Sequence, residues 1–168
     1  KLNDIFFSIN GINSNGNKHI NNAVSNGARI IISNLKFEGF NKDNVLFINN
    51  NNPRKLLSEV SSKYYKLKPK NIIAVTGTNG KTSVANFYEQ ILSLNNKSVA
   101  SIGTLGVISK KYKLKTINTT MDPIAVHKIL QKLKKLKIDN VMMEASSHGL
   151  KQYRLNNIKF RSAIFTNL

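Results

Sequence analysis

The feature that most constrains this chain is the stretch 72–83, which reads IIAVTGTNGKTS. A run of β-forming residues ends there in small residues and Lys81, and apolar positions then recur at helical spacing. A strand, a glycine-containing loop and a helix in this order are typical of a phosphate-binding loop. Val75 stands where the general motif GxxxxGK[ST] has its first glycine, and Gly77 follows two residues later. The pattern nevertheless favours nucleotide binding over an ordinary turn between a strand and a helix.

Four residues of this loop carry the chemistry that such a motif needs. Gly77 and Gly80 have no Cβ, so the backbone can curl and turn its N–H groups toward phosphate oxygens, beside the positive end of the helix dipole. We expect Lys81 to reach the β- and γ-phosphates of a nucleotide, and the hydroxyl of Thr82 to hold Mg²⁺.

Segments typical of strands and helices alternate along the whole chain. They predict strands at 5–9, 29–33, 45–48, 72–75, 98–102, 141–143 and 162–166, helices at 20–26 and 53–65 and from Val84 and Pro123 onward, and a hairpin at 107–115. This alternation predicts an α/β fold, with a parallel sheet and helices on both faces in the second part of the chain. The charged stretch KLKPK at 66–70 precedes the strand of the loop. We therefore expect a small N-terminal α/β domain at 1–67 and a P-loop, mostly parallel-sheet domain at 68–168.

The formal charge of +18 would ordinarily suggest a nucleic-acid or anionic-surface partner. The lysines are spread along the whole chain, however, and the densest runs, at 110–115 and 132–137, lack interleaved aromatic residues apart from Tyr112. We therefore expect no nucleic-acid partner. Because the chain has no cysteine and no apolar run long enough to cross a membrane, we expect a soluble cytoplasmic protein with neither disulfides nor membrane contacts.

Glu144 stands at the carboxyl end of a predicted buried strand, which is where open α/β sheets bind ligands. An acid in that position can complete the coordination of a Mg²⁺ ion held by Thr82. The alternative is a solvated glutamate at a strand end. We favour the metal because a carboxylate beside the buried residues 141–143 is otherwise unfavourable.

Other polar residues near this strand are weak signals when each is taken alone. His148 lies in the turn SSHG and could be a ligand, a base or a structural hydrogen-bonding residue. Arg154 is suited to bidentate phosphate binding, and Gln152 precedes it. The sequence NTT at 118–120 offers amide and hydroxyl groups before a helix start. For each of them, a capped turn or a solvated side chain is the alternative.

Four motifs taken together make the chain recognisable. VTGTNGKTS, NTTMDP, MEASSHGLKQYRL and FRSAIFTNL occur in this order and closely resemble the Mur ligases. The segment DIFFSINGINSNGNKHI, followed by GARIII, is similar to the N-terminal uridine-binding domain of that family. The resemblance covers nearly the whole chain.

The resemblance implies roles for particular residues. It implies that Lys81 and Glu144 are catalytic and that Thr82 and Glu144 bind Mg²⁺. The loop at 12–14 would lie by the uridine, although its residues depart from the family pattern. The implied ATP-binding residues are Gly77, Thr78, Asn79, Gly80, Lys81 and Thr82, and the implied contacts to the UDP-muramoyl-dipeptide substrate are Asn118, Thr119, Thr120, Ser146, Gln152 and Arg154.

The resemblance also implies a reaction in peptidoglycan biosynthesis, with ATP and Mg²⁺ as cofactors. In the members that this chain matches best, the γ-phosphoryl group of ATP passes to the D-glutamate carboxylate of UDP-N-acetylmuramoyl-L-alanyl-D-glutamate. The amine of a diamino acid, meso-diaminopimelate or L-lysine, then attacks the acyl phosphate. Segments of the family that precede Lys1 and follow Leu168 are absent, so we expect the 168 residues alone to be an inactive fragment. We leave the oligomeric state open, with a monomer expected.

Three other interpretations remain at this point. Folylpolyglutamate synthetase shares the phosphate loop, although NTTMDP and SSHGLKQYR argue against it. A basic P-loop ATPase that acts on nucleic acid would show binding that falls steeply with salt concentration. The chain could also be only a binding module.

Overall fold

A computed structural model of the chain describes residues 3–11, 14–116 and 118–167. Its contacts divide the chain into two compact units, Lys1–Leu57 and Ser58–Leu168. The boundary between the units falls inside a helix, earlier in the sequence than the expected domain boundary at 67/68. The second half of that helix belongs to the second unit, where Ser58 Oγ donates to the carbonyl of Asn156 at 2.9 Å.

The first unit is built on a four-stranded sheet. Its elements are β1 (Asp4–Phe7), a 3₁₀ helix (Gly16–His19), α1 (Ile20–Ser25), β2 (Ala28–Ser33), β3 (Gly39–Phe40) and β4 (Leu46–Asn49), and α2 (Pro53–Tyr64) begins within it. The strand order is β1-β2-β4-β3, and only the short β3 runs antiparallel to its neighbour. Ile20, Ala28, Ile31 and Val45 are buried together as its core. Of the loop predicted near a uridine, Ile12 and Asn13 lie outside the described residues.

The second unit is built on a five-stranded sheet. Its elements are β5 (Asn71–Thr76), α3 (Lys81–Leu94), β6 (Val99–Gly103), β7 (Gly106–Ile108), α4 (Pro123–Lys135), β8 (Asn140–Glu144), α5 (Ser147–Lys151) and β9 (Ser162–Phe165). The order is β7-β6-β8-β5-β9, and β6, β8, β5 and β9 are parallel. The carboxyl ends of β5, β6 and β8 therefore lie at the same edge of the sheet.

Helices cover both faces of this sheet, as the alternating pattern predicted. Successive residues of a strand point to opposite faces, so each parallel strand supplies two cores. On one face, Val75 and Met142 pack against Ala85 of α3. On the other face, Ile72 and Met143 belong to the larger core that α4 joins through its buried Val126, Ile129, Leu130 and Leu133. The predicted α/β class with a mostly parallel sheet is confirmed.

The ends of most elements agree with the sequence-based prediction to within one to three residues. The predicted hairpin at 107–115 is present, since β7 is bridged by paired hydrogen bonds between the backbones of Val107 and Leu114. Three short elements were not predicted: the 3₁₀ helix, β3 and α5. Among the described residues, no helix combines the length and the apolar character needed to span a bilayer.

Candidate active site

The phosphate loop connects β5 to α3 and contains two glycines at positive φ. Gly77 has φ of +132° and Gly80 has φ of +83°, values that a residue with a Cβ adopts only with strain. Gly80 is also the N-cap of α3, so the N–H groups of the first helical turn, including those of Lys81 and Thr82, have no acceptor within the helix. The end of α3 that faces the loop is therefore a source of hydrogen-bond donors and of partial positive charge.

Lys81 folds over the loop that precedes it. Its Nζ donates to the carbonyl of Gly77 at 2.6 Å and to that of Thr78 at 2.9 Å. The ammonium group is thus held above the loop at the helix N-terminus, and it keeps one N–H donor for another acceptor.

The residues that follow β9 hold the tip of the loop in place. Thr166 Oγ1 lies 2.6 Å from the carbonyl of Asn79 and 3.2 Å from that of Thr76. The side-chain oxygen of Asn167 accepts from the N–H of Asn79 at 3.0 Å, and its backbone carbonyl accepts from the N–H of Thr78 at 3.4 Å. Two loop N–H groups that the sequence suggested for phosphate are therefore bound to Asn167. The donors that remain at this end of the loop are those at the start of α3.

Glu144 is buried, with only 2% of its surface exposed, and three donors surround its carboxylate. Thr82 Oγ1 donates to Oε2 at 3.1 Å, Thr104 Oγ1 donates to Oε2 at 3.0 Å, and the N–H of Thr104 donates to Oε1 at 3.0 Å. Gly103 makes room for this group, because a Cβ at that position would collide with the glutamate side chain. In the described part of the chain, no lysine or arginine pairs with this carboxylate. A buried negative charge without a cation is unfavourable, so the site is suited to a cation.

These residues fit Mg²⁺ as it is bound at nucleotide sites. Mg²⁺ usually takes one or two protein oxygens and completes its shell with phosphate oxygens and water. Thr82 and Glu144 supply a hydroxyl and a carboxylate that face each other beside the helix N-terminus. No group of three or more His, Cys, Asp or Glu side chains that could hold a metal occurs in the described ranges, so a fully protein-made metal site is not offered there.

A second polar cluster lies beside Glu144 and joins the end of β8 to α5. Thr120 Oγ1 is 3.0 Å from Ser146 Oγ, and it accepts from the N–H of Ser146 at 3.1 Å. Ser146 also caps α5, since its Oγ accepts from the N–H of Gly149 at 3.1 Å. The predicted substrate residues Thr120 and Ser146 are therefore in direct contact, and both support the local backbone.

Arg154 is tied into the same cluster. Its Nη1 donates to the carbonyl of Thr120 at 2.6 Å, while Nε and Nη2 donate to Gln152 Oε1 at 3.0 and 2.8 Å. The amide nitrogen of Gln152 lies 2.7 Å from His148 Nε2. These bonds set the orientation of the guanidinium plane, and two of its five N–H groups have no partner among the described residues, so they can serve a ligand. His148 therefore takes part in this hydrogen-bond network through its contact with Gln152.

The remaining two predicted substrate residues differ in their contacts. Thr119 Oγ1 is 3.0 Å from Thr104 Oγ1 and so adjoins the site of Glu144, whereas Asn118 is exposed. The structure thus brings together the phosphate loop, Glu144 and the second polar cluster at one edge of the sheet.

Sequence reasoning missed four residues of this edge: Gly103, Thr104, Thr166 and Asn167. Each follows or ends a parallel strand, β6 or β9, at the same edge as Glu144. The rule that ligands bind at the carboxyl ends of parallel strands, if applied to every strand, would have identified them.

Comparison with known proteins assigns the family. Residues 75–168 match the sequence description of the Mur ligase middle domain. The chain belongs to the Mur ligase family. The matched region begins in the strand that leads into the phosphate loop and includes every residue of the edge described above.

Several Mur ligases are similar to the chain over most of its length. The UDP-N-acetylmuramoyl-L-alanyl-D-glutamate–2,6-diaminopimelate ligase of Bradyrhizobium diazoefficiens is 39% identical over 165 residues, which are 98% of this chain and 33% of that protein. The ligase of the same name from Rickettsia bellii is 42% identical over 173 residues, 99% of this chain and 34% of that protein. The chain spans about a third of the length of these curated relatives.

Two solved Mur ligase structures share the fold. A UDP-N-acetylmuramoyl-L-alanyl-D-glutamate–2,6-diaminopimelate ligase superposes with a TM-score of 0.76 at 30% identity, over 90% of this chain and 30% of that chain. The MurF ligase from Thermotoga maritima, solved in complex with ADP, superposes with a TM-score of 0.54 at 21% identity, over 88% of this chain and 30% of that chain. The predicted family is confirmed.

Proposed function

We propose that the chain forms the nucleotide-binding part of an ATP-dependent ligase. The ligase adds a diamino acid to UDP-N-acetylmuramoyl-L-alanyl-D-glutamate. The relatives that cover the chain almost completely are named as 2,6-diaminopimelate ligases for this substrate, which favours diaminopimelate over lysine and over the substrates of folylpolyglutamate synthetase. The observation that carries the proposal is the buried Glu144 carboxylate, which faces the hydroxyl of Thr82 beside the phosphate loop and has no cationic side chain as a partner among the described residues.

The loop would position ATP for transfer of its γ-phosphoryl group. Lys81 and the N–H groups at the start of α3 would neutralise and orient the phosphates, and Thr82 and Glu144 would hold Mg²⁺. When bound there, Mg²⁺ would neutralise negative charge that develops on the phosphate oxygens. Because phosphoryl transfer needs mainly positioning and charge neutralisation, these few residues can supply most of what the step requires.

The second polar cluster would hold the acceptor substrate. The two remaining N–H groups of Arg154 suit an anionic group of the UDP-sugar, and the hydroxyls of Thr120 and Ser146 lie next to each other beside the backbone of Glu144. A carboxylate oxygen of the substrate would attack the γ-phosphorus, and ADP would leave. The amine of the diamino acid would then attack the acyl carbon, and phosphate and a proton would be released.

An assay of the protein that contains this chain tests the proposal. The protein is incubated with ATP, Mg²⁺, UDP-N-acetylmuramoyl-L-alanyl-D-glutamate and either meso-diaminopimelate or L-lysine, and products are identified by mass spectrometry. We expect the tripeptide product with diaminopimelate. We expect Lys81→Ala to lower the rate by about a hundredfold or more, because it removes the cation that faces the phosphates.

Lys97→Ala is the matched control. Lys97 is an exposed lysine just beyond the end of α3, so its removal changes the net charge by the same amount away from the loop. Folded protein that forms no tripeptide product with either diamino acid would overturn the proposed function. Equal rate losses in the two variants would show that Lys81 acts only through net charge.

A further inference from the structure

A cleft rich in basic side chains lies at the edge of the five-stranded sheet opposite the phosphate loop. It is formed by the end of α2, the linker 66–70 and the segment that leads into β9, where the amino ends of β5 and β9 meet. Its volume of about 450 Å³ is within the range of small-molecule sites. We call it the basic cleft, and it is lined by Ser62, Lys66, Lys68, Pro69, Lys70, Ile72, Asn157, Lys159, Phe160 and Arg161.

Basic residues make up a larger fraction of the lining of the basic cleft than of the whole chain. Five of the ten lining residues are lysine or arginine, and none of these described lining residues is acidic. In the whole chain 26 of 168 residues are basic, which is fewer than two in ten. The cations come from two segments, 66–70 and 159–161, that are far apart in sequence. The fold therefore gathers like charges in one concave place, where they repel each other until an anion binds.

The individual side chains of the cleft are arranged to accept such an anion. Lys68 is half-buried, and this burial lowers the pKa of its ammonium group; its Nζ donates to the carbonyl of Tyr65 and keeps two donors. The guanidinium of Arg161 is oriented by a 2.6 Å bond from Nη1 to Asn71 Oδ1. Asp139, whose Oδ1 accepts from the N–H of Lys70 at 3.2 Å, is already paired with Lys134. Lys134, which does not line the cleft, is therefore the ion-pair partner of Asp139, although the charge of Lys70 also acts on this carboxylate.

We propose that the basic cleft binds a small, multiply charged anion of the phosphate class, at a site separate from the phosphate loop. The forked guanidinium of Arg161 can take two phosphate oxygens, and the lysines add point charges around it. Pro69 and Phe160 also line the cleft, and apolar side chains there would suit the organic body of a phosphate ester. The same charges would also accept a free polyphosphate, so the experiment includes one probe of each kind.

The test is a titration followed residue by residue. Inorganic pyrophosphate and fructose 1,6-bisphosphate are each added to the ¹⁵N-labelled protein at about 0.15 M ionic strength, where exposed charges are strongly screened. We expect the amide signals of Lys70 and Arg161 to shift saturably with at least one probe. Tighter binding of the bisphosphate would assign the site to phosphate esters, and tighter binding of pyrophosphate would assign it to free polyphosphate.

Two double variants with the same change in net charge make the test specific. Lys66→Gln with Lys159→Gln removes two exposed lysines of the cleft, and we expect it to raise the dissociation constant at least fivefold. Lys128→Gln with Lys132→Gln removes two exposed lysines of α4 outside the cleft, and we expect a change of less than twofold.

Three results would overturn the proposal. Equal losses in the two double variants would show that only the diffuse charge of the protein attracts the probes. Saturable shifts confined to Gly80–Thr82 would place the anion in the phosphate loop instead. The absence of saturable shifts with either probe would show that the cleft is not a site.

Discussion

Glu144 is the residue whose proposed chemical role can be tested most directly. Its carboxylate is buried and accepts hydrogen bonds from the hydroxyls of Thr82 and Thr104. These bonds fix the position of the carboxylate. A glutamine of the same shape could keep one acceptor oxygen but would remove the negative charge. Glu144 therefore offers a substitution that separates charge from shape.

We predict that Glu144→Gln will raise the Mg²⁺ concentration needed for half-maximal activity by about tenfold or more, because the proposed Mg²⁺ site would lose a charged ligand. The measurement is a Mg²⁺ titration of the ligase rate at saturating ATP. Glu89→Gln is the matched control, since Glu89 is also a buried acid that accepts from a hydroxyl, that of Ser93 at 2.9 Å. An unchanged Mg²⁺ titration for Glu144→Gln would mean that the side chain is structural.

At the scale of elements, the conformation of the phosphate loop depends on a neighbouring strand. β9 pairs with β5 in parallel, and this brings Thr166 and Asn167 over the loop. Gly77 is needed for the same contact, because a Cβ there would collide with Thr166 Oγ1. The loop and the end of β9 therefore support each other, although Asn79 and Thr166 are 87 positions apart in sequence.

We predict that Thr166→Val will weaken nucleotide binding about fivefold. Valine has nearly the shape of threonine but cannot donate to the carbonyl of Asn79, and one neutral hydrogen bond contributes about 1 kcal/mol. Calorimetric titration with a non-hydrolysable ATP analogue and Mg²⁺ measures the effect. Ser98→Ala is the control. It removes a 2.7 Å hydrogen bond from the Ser98 hydroxyl to the carbonyl of Lys137, outside the loop, and should leave the affinity for the nucleotide unchanged. If both variants bind like the parent protein, Thr166 does not position the loop.

At the scale of the whole molecule, one buried titratable group makes stability depend on pH. His127 of α4 is fully buried, and neither ring nitrogen makes a hydrogen bond of normal geometry with a described residue. Burial, with a smaller contribution from the positive charge of Lys68, lowers the pKa of this histidine from 6.5 to about 4, and the backbone of Asn156 opposes the shift in part. The folded protein therefore keeps His127 neutral at pH values where the unfolded chain would bind a proton.

This difference makes stability depend on pH in a definite direction. The unfolded state binds more protons than the folded state between pH 6.5 and about 4, so the free energy of unfolding falls as the pH falls through that range. We predict a loss on the order of 3 kcal/mol from this group between pH 7.5 and 4.5, measured by urea unfolding. His127→Leu should remove most of that pH dependence, whereas His148→Gln, at an exposed histidine, should not. An equal slope in the parent protein and His127→Leu would contradict the assignment.

Much of the architecture was predictable because local patterns carry it. The strand–loop–helix at 72–94 follows from an apolar run, two glycines and a helical repeat, and α4 starts at Pro123 because Asp122 caps it through a 3.0 Å bond to the N–H of Ala125. By contrast, α5 was not predicted. It has five residues, one of them Gly149, and it packs closely on Thr120, where even a Cβ at the glycine would not fit. A helix that depends on such a distant contact has no local signal.

The same distinction applies to the site. Residue type and strand ends were sufficient to nominate Lys81, Thr82 and Glu144 as candidates, since the chemistry of phosphate and Mg²⁺ restricts which side chains can serve and parallel strands present them at one edge. Their actual partners depend on pairing between strands that are distant in sequence. Strand order places Thr104 beside Glu144 and Thr166 beside the loop, and it gathers the cations of the basic cleft from two segments. Periodicity reports which face of a strand is buried, but the choice of neighbouring strand is made by the packing of the complete sheet, where burial of both faces stabilises one order over the others.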